Sequence, residues 1–266
     1  MSIYIISTLI IGLIFGSFFN VVIYRVPLFL EAKLKREKNY SLVKYLSWPA
    51  SFCPNCKKKI AWFDNIPIFS WILLNGKCRN CKEPIKTRYA VVELLSALIF
   101  SYSYFKFGFS FDTIFWIGLF SILVILFFID AETFFLPDFF TIPLILLCFI
   151  GSYLGITNVI LIDSVIGAIS GFLVLFLVNF FYKAFRKVDG FGGGDFKLLA
   201  GLGAWFGWLS LPIIIGMSSI FGLLYVLIMT LIKQKKVQLN TVLPFGPFLI
   251  LSSLFVYVNS YIFKFF

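Results

Sequence analysis

Long apolar stretches separated by short polar breaks dominate the hydrophobic pattern of this 266-residue chain. Several of them approach or exceed 18 residues, the length at which an α-helix can cross the hydrocarbon core of a bilayer. Outer-membrane barrels are instead built from short strands of alternating polarity, which these continuous runs do not resemble. We therefore predict an all-α polytopic membrane protein with about eight transmembrane helices. The predicted spans are 3–26, 90–106, 112–130, 138–156, 160–182, 196–210, 212–232 and 244–263.

The composition agrees with a membrane protein, because 61% of the residues are hydrophobic and only 13% are charged. A soluble domain of this length would be far more polar. The first apolar run, 3–26, has the hydrophobicity of a signal peptide but lacks a basic start and a small-residue cleavage site. We expect it to be retained as a helix.

Positive charge is concentrated in the segment 27–89, which holds 13 of the 23 Lys and Arg residues and four of the 12 acids. Because cytoplasmic loops carry an excess of Lys and Arg, this loop is predicted to lie in the cytoplasm, with both termini outside. The same charge favours contact with anionic membrane lipids. Nucleic-acid binding is not expected, since no recognition module accompanies the charge.

Four of the five cysteines form two CxxC pairs in this loop, Cys53-Pro-Asn-Cys56 and Cys78-Arg-Asn-Cys81. Paired knuckles of this kind bring four thiolates onto one Zn²⁺. A reducing cytosol argues against disulfides, while redox chemistry and an iron–sulfur cluster remain alternatives. Four protein ligands leave no open coordination position, so the predicted zinc is structural. The chain then divides into a first helix (1–26), a basic zinc-binding loop domain (27–89) and a seven-helix core (90–266).

The chain contains no histidine, which excludes Ser-His-Asp triads and HExxH zinc sites. Two aspartates remain as candidates for chemistry. Asp130 closes the third predicted span, and Asp195 follows a glycine turn at the start of the sixth. Carboxylates at bilayer depth are costly and therefore indicate a functional site. The simpler role of Asp195 is a helix start. Asp138, which follows Leu136-Pro137, is expected to cap the fourth predicted span.

The predicted topology places Asp130 and Asp195 at the cytoplasmic ends of their spans, where the two carboxylates can meet. Such a pair shares a proton, so one member can activate water while the other polarises a peptide carbonyl. The main alternative is an ion- or proton-coupled transporter that uses the same two aspartates. A general intramembrane protease and a non-enzymatic assembly scaffold are further alternatives.

Several motifs resemble those of the type IV prepilin leader peptidase family, the membrane aspartyl proteases with a GxGD motif. The likeness covers most of the chain. It is carried by Gly16-Ser-Phe-Phe-Asn-Val-Val-Ile-Tyr-Arg-Val-Pro27, the tetracysteine loop with Asn65-Ile-Pro67 and Gly76-Lys-Cys78, Arg88-Tyr89 with Glu93, Leu136-Pro137-Asp138, Gly192-Gly-Gly-Asp195 and Pro244-Phe-Gly-Pro247.

The resemblance implies two activities in a bacterial inner membrane. One is cleavage of the leader of type IV prepilins or pseudopilins at the cytoplasmic face, with Asp130 and Asp195 as catalytic residues. The other is N-methylation of the new N-terminus from S-adenosylmethionine, with Gly76 and Glu93 at the methyl-donor site. It also implies structural zinc on Cys53, Cys56, Cys78 and Cys81. No nucleotide-binding fingerprint of the Rossmann type accompanies the methyltransferase prediction.

Overall fold

The computed structural model describes residues 2–35, 41–47, 50–233 and 243–263, and this part of the chain is helical with no strand. Two isolated β-bridges, Phe52–Lys59 and Lys77–Pro84, interrupt the helical pattern within the loop. The all-α prediction is therefore confirmed. The helices are α1 (Ser2–Leu34), α2 (Leu42–Ser47), α3 (Phe69–Leu73), α4 (Arg88–Phe107), α5 (Phe111–Thr133), α6 (Asp138–Tyr153), α7 (Leu161–Arg186), α8 (Gly193–Phe206), α9 (Leu211–Lys233) and α10 (Gly246–Phe263).

Every predicted span coincides with a helix, but the helices differ in length. In the described residues, five helices are long and apolar enough to cross a membrane. They are α1, α4, α5, α7 and α9, the last together with the short turn that precedes it. The apolar helices α6 and α10 are shorter, and α8 has only 14 residues. The structure thus supports a multi-pass membrane protein, while the count of eight crossings stays a prediction.

Helix α1 runs eight residues beyond the predicted end of the first span at residue 26. It continues through Pro27 to Leu34, so the start of the predicted loop is helical. Next to this extension, the guanidinium of Arg25 donates hydrogen bonds to the carbonyls of Tyr45 and Leu46, at 3.1 and 2.9 Å. These bonds hold the short helix α2 beside α1.

The chain forms two compact units, Met1–Ile125 and Leu126–Phe266. In the first unit, α1 and α4 approach closely because α1 presents glycines to α4. A Cβ atom added to Gly16 would lie 2.6 Å from Cα of Glu93, and one added to Gly12 would lie 2.7 Å from Cα of Ala97. Small residues at such contacts are typical of helix pairs in membranes.

In the second unit, α8 packs between α6 and α7, and its leucines Leu198, Leu199 and Leu202 are fully buried. Helix α7 meets it through glycines, since a Cβ on Gly171 would lie 2.6 Å from the carbonyl oxygen of Leu199. The hydroxyl of Ser164 also donates a 2.7 Å hydrogen bond to the carbonyl of Ala204. This close packing fixes α8, and with it the position of Asp195 at its start.

Candidate active site

Asp130 lies near the end of α5 and is only 4% exposed. Its Oδ2 accepts a 3.0 Å hydrogen bond from the backbone N–H of Gly246, the first residue of α10. A carboxylate near the end of its own helix is disfavoured by that helix's dipole, whereas the unpaired amides at a helix N-terminus attract it. The start of α10 therefore compensates for the unfavourable position of Asp130.

Asp195 is the third residue of α8 and is half-buried. Its Oδ2 accepts a 3.0 Å hydrogen bond from the backbone N–H of Gly192, the residue before the helix. This is the helix-start role that the sequence left open for Asp195. It occupies one carboxylate oxygen and leaves the second for another partner.

Both aspartates lie in the second unit, where Gly194, next to Asp195, and Gly246, which binds Asp130, pack against the same residue, Leu136. Within the described ranges, Oδ1 of either carboxylate receives no hydrogen bond, whereas Oδ2 is held by backbone in both. The two free oxygens can thus bind a water molecule or a substrate carbonyl. This is the arrangement that a two-carboxylate mechanism needs.

Leu136 links the elements that carry the two aspartates. A Cβ on Gly194, the residue before Asp195, would lie 2.6 Å from Cβ of Leu136. A Cβ on Gly246 would lie 3.2 Å from Cδ1 of Leu136 and 2.6 Å from Oδ2 of Asp130. Only glycine fits at these two positions with the present packing, so the buried Leu136 sets the spacing between α8 and α10.

Asp138 does not cap α6, and that prediction was wrong. The residue before the helix is Pro137, no side chain caps this end, and Asp138 itself stands in the first turn. Its Oδ1 instead pairs with Nζ of Lys197 at 2.6 Å. The pair ties the start of α6 to α8, although both side chains are too exposed for it to contribute much stability.

The four loop cysteines converge as the spacing predicted. Their sulfur atoms all lie within 4.8 Å of one another, and Sγ of Cys53 is 3.9 Å from Sγ of Cys81. Four thiolates around zinc at Zn–S distances of about 2.3 Å would be separated by roughly 3.8 Å, so the donor set fits a tetrahedral zinc ion. Backbone hydrogen bonds from Cys81 and Asn80 lower the pKa of the Cys78 thiol to about 7, which favours the metal-binding thiolate.

The two knuckles repeat the same local structure. In each, the residue after the second cysteine has a positive φ, 59° at Lys57 and 60° at Lys82. Each of these lysines donates its N–H to the carbonyl of the first cysteine of its pair, at 2.9 and 3.0 Å. The two CxxC pairs of the sequence therefore correspond to a repeated turn.

Gly76 and Glu93 both contact the segment around α3. Gly76 has a φ of +64°, and a Cβ there would lie 3.1 Å from the ring of Trp71. Glu93 is buried in α4, and its Oε2 accepts a 2.7 Å hydrogen bond from the N–H of Ile68. Gly76 and Glu93 therefore contact the same short segment, at Trp71 and at Ile68.

Comparison with known proteins agrees with these features. A family model described as "Bacterial Peptidase A24 N-terminal domain" matches residues 10–107, and one described as "Type IV leader peptidase family" matches residues 117–227. The chain is 38% identical to the prepilin leader peptidase/N-methyltransferase of Neisseria gonorrhoeae, over 94% of this chain and 89% of that protein. It is 39% identical to the Dickeya chrysanthemi protein of the same name, over 94% and 90%.

The chain belongs to the type IV leader peptidase family. A third relative with that name, from Pseudomonas aeruginosa, is 37% identical over 92% of this chain and 87% of its own. No solved structure gave a significant match. The family that the motifs predicted is therefore confirmed. None of these relatives is named as a transporter.

The sequence did not reveal the roles of Gly246 and Leu136 in this family member. Both stand in quoted motifs, Pro244-Phe-Gly-Pro247 and Leu136-Pro137-Asp138. Their contacts with Asp130 and Gly194 join residues far apart in the chain, so no local pattern could assign them. The only signal in the sequence was that Gly246 lies between Pro244 and Pro247 at the start of an apolar run.

Proposed function

We propose that this protein is a membrane aspartyl peptidase that removes the leader of type IV prepilins or pseudopilins and then N-methylates the new N-terminus. The observation that supports this most is the pair formed by Asp130 and Asp195, each with one oxygen held by backbone and one free. Membership of the family makes prepilins the expected substrate class.

Peptide cleavage can be performed by two carboxylates that share one proton. One aspartate in its ionised form removes a proton from water, and the hydroxide formed attacks the carbonyl carbon of the scissile peptide bond. The other, in its protonated form, polarises the carbonyl oxygen and then transfers its proton to the leaving amine.

The location of the pair suits a substrate that is itself in the membrane. A prepilin has a basic leader followed by an apolar helix, so the cleaved bond lies near the membrane surface. Asp130 and Asp195 stand at helix ends rather than at helix centres. With the orientation expected from the basic loops, these ends face the cytoplasm of a bacterial inner membrane.

The methyltransferase activity is placed at the segment that Gly76 and Glu93 contact. S-adenosylmethionine would supply the methyl group when bound. The indole Nε1 of Trp71, beside Gly76, is buried without a hydrogen-bond partner among the described residues, so it can donate to a bound nucleoside. The carboxylate of Glu93 suits the positive charge of the sulfonium.

Zinc on the four cysteines has a structural role in this proposal. The metal would join the two knuckles, and the second knuckle begins directly after Gly76 and Lys77. The N–H of Ile85 donates a 2.7 Å hydrogen bond to the carbonyl of Gly76. Closing the knuckle therefore fixes the turn that carries Gly76.

Mass spectrometry of a type IV prepilin incubated with the purified protein tests both activities. Loss of the leader establishes the peptidase, and a further gain of one methyl group when S-adenosylmethionine is present establishes the methyltransferase. A control with Asp112→Asn, an acid at the other end of α5, should behave as the wild type. Intact prepilin after incubation with folded protein would contradict the proposal and favour ion transport.

A further inference from the structure

A cluster of large apolar side chains is exposed on the loop between α1 and α4. Two adjoining turns carry it, a 3₁₀ turn at Trp62–Asn65 and α3. Trp62 is 81% exposed, Leu73 63%, Ile72 59% and Phe69 57%. Contiguous apolar surface of this kind marks an interaction site rather than an ordinary solvated loop. We call it the apolar ridge: Trp62, Phe63, Ile66, Phe69, Ile72 and Leu73.

A hydrogen bond joins the segment that carries the apolar ridge to a membrane helix. Ile68, directly before α3, donates its N–H to Glu93 at 2.7 Å. Glu93 lies five residues inside α4, or roughly 7 Å along the helix from Arg88, and α4 is long enough to span the membrane. The backbone of α3 is therefore held beside the first turns of a helix that can span a membrane.

Ile68 shows that this attachment imposes a conformation. Its φ is +58°, which a β-branched residue rarely adopts because of steric strain. Such strain persists where surrounding contacts determine the backbone. The hydrogen bond to Glu93 holds the N–H of Ile68, and Glu93 also contacts Ser17 of α1. The helix pair α1–α4 thus sets the orientation of the ridge.

The charges around the ridge identify what it binds. Between residues 50 and 87 the chain has seven Lys and Arg residues and two acids. One acid, Asp64, forms a two-point ion pair with Arg79 at 2.6 and 2.8 Å, which lowers the pKa of Asp64. The remaining basic residues of this segment are exposed lysines that precede and follow the ridge in the chain, Lys57, Lys58, Lys59, Lys77, Lys82 and Lys86. Apolar side chains bordered by lysines match an anionic lipid surface.

We propose that the apolar ridge is a membrane-surface anchor that inserts into the interface of an anionic bilayer, with Glu93 as the residue that orients it. The anchor would hold the zinc knuckles flat against the membrane beside the start of α4. It requires neither activity proposed above, since it depends only on the loop and the α1–α4 pair.

Photo-crosslinking in the full-length protein tests the anchor. The protein, with a benzophenone amino acid in place of Phe69 or Ile72, is reconstituted into vesicles of phosphatidylethanolamine and phosphatidylglycerol and irradiated. Mass spectrometry should find lipid adducts several-fold more often there than at Glu83, an exposed polar position in the same loop. Equal adduct yields at the three positions would overturn the proposal. If the probes crosslink to an added prepilin in place of lipid, the ridge is a substrate-binding surface and the proposal is wrong.

Two variants test the role of Glu93. Glu93→Gln keeps an oxygen that accepts the Ile68 N–H, so lipid adducts at Phe69 should remain. Glu93→Ala removes it, and the adducts should fall towards the level at Glu83 while zinc content is retained. Unchanged adducts in Glu93→Ala would refute the orienting role.

Discussion

At the scale of single residues, the two candidate catalytic aspartates are held in the same way, by one backbone N–H on Oδ2. Asparagine has the same shape and keeps an oxygen for that bond, so Asp130→Asn and Asp195→Asn should fold. Neither variant can exchange a proton with water at neutral pH. Leader cleavage should fall by at least about 10²–10⁴-fold in each, and by no more in the double variant, because the pair acts as a unit.

The measurement is the initial rate of prepilin cleavage in detergent, with Asp112→Asn as the matched control. Retention of wild-type rates in either active-site variant would remove that aspartate from the mechanism. If the fold-decrease in cleavage rate of the double variant equals the product of the two single decreases, the two side chains do not act as a pair.

Gly246 is predicted to position Asp130. A methyl group there would lie 2.6 Å from Oδ2 of Asp130, so Gly246→Ala must displace the carboxylate or the start of α10. We expect a large loss of kcat with little change in KM, because the substrate does not bind through this contact. Gly216→Ala in α9 is the control, since its added Cβ would meet nothing within 4 Å. An unchanged kcat in Gly246→Ala would show that Asp130 tolerates the shift.

At the scale of secondary-structure elements, Leu136 is the contact that α8 and α10 share. Leu136→Ala should destabilise the protein by about 2–5 kcal/mol through the cavity it leaves. It should also lower kcat, because the spacing of the two carboxylates is no longer fixed. Leu136→Met retains the side-chain volume and should therefore keep most of the stability and most of kcat. Thermal unfolding and cleavage rates measure the two effects, and a stability loss with full kcat would make Leu136 an ordinary core residue.

The helices and their contacts also show how much of the structure could be predicted from the sequence. Apolar runs located all the long helices, and the cysteine spacing was sufficient to predict that four sulfur atoms converge. The end of α1 was misplaced because a proline usually ends or kinks a helix, whereas α1 continues through Pro27 to Leu34. The amide of Gly246 on Asp130 and that of Ile68 on Glu93 are long-range contacts and were equally hidden.

At the scale of the whole molecule, the two candidate functions belong to different compact units. The cysteines, Gly76 and Glu93 lie in Met1–Ile125, whereas Asp130 and Asp195 lie in Leu126–Phe266. Each set has its own supporting contacts within its unit. Damage to one unit should therefore affect one activity more than the other.

Zinc removal tests this separation. Cys53→Ser leaves three thiolates, and the binding free energy of a structural zinc, about 10–16 kcal/mol, is folding free energy for its loop. Metal analysis should give about one zinc per chain in the wild type and much less in the variant. Because Gly76 is hydrogen-bonded to Ile85 beside the second knuckle, methylation should fall by a larger factor than leader cleavage.

Cys148→Ser, a change at a buried cysteine far from the tetrad in sequence, is the control for zinc content. Equal losses of both activities in Cys53→Ser would instead mean that the loop supports the peptidase as directly as the methyltransferase.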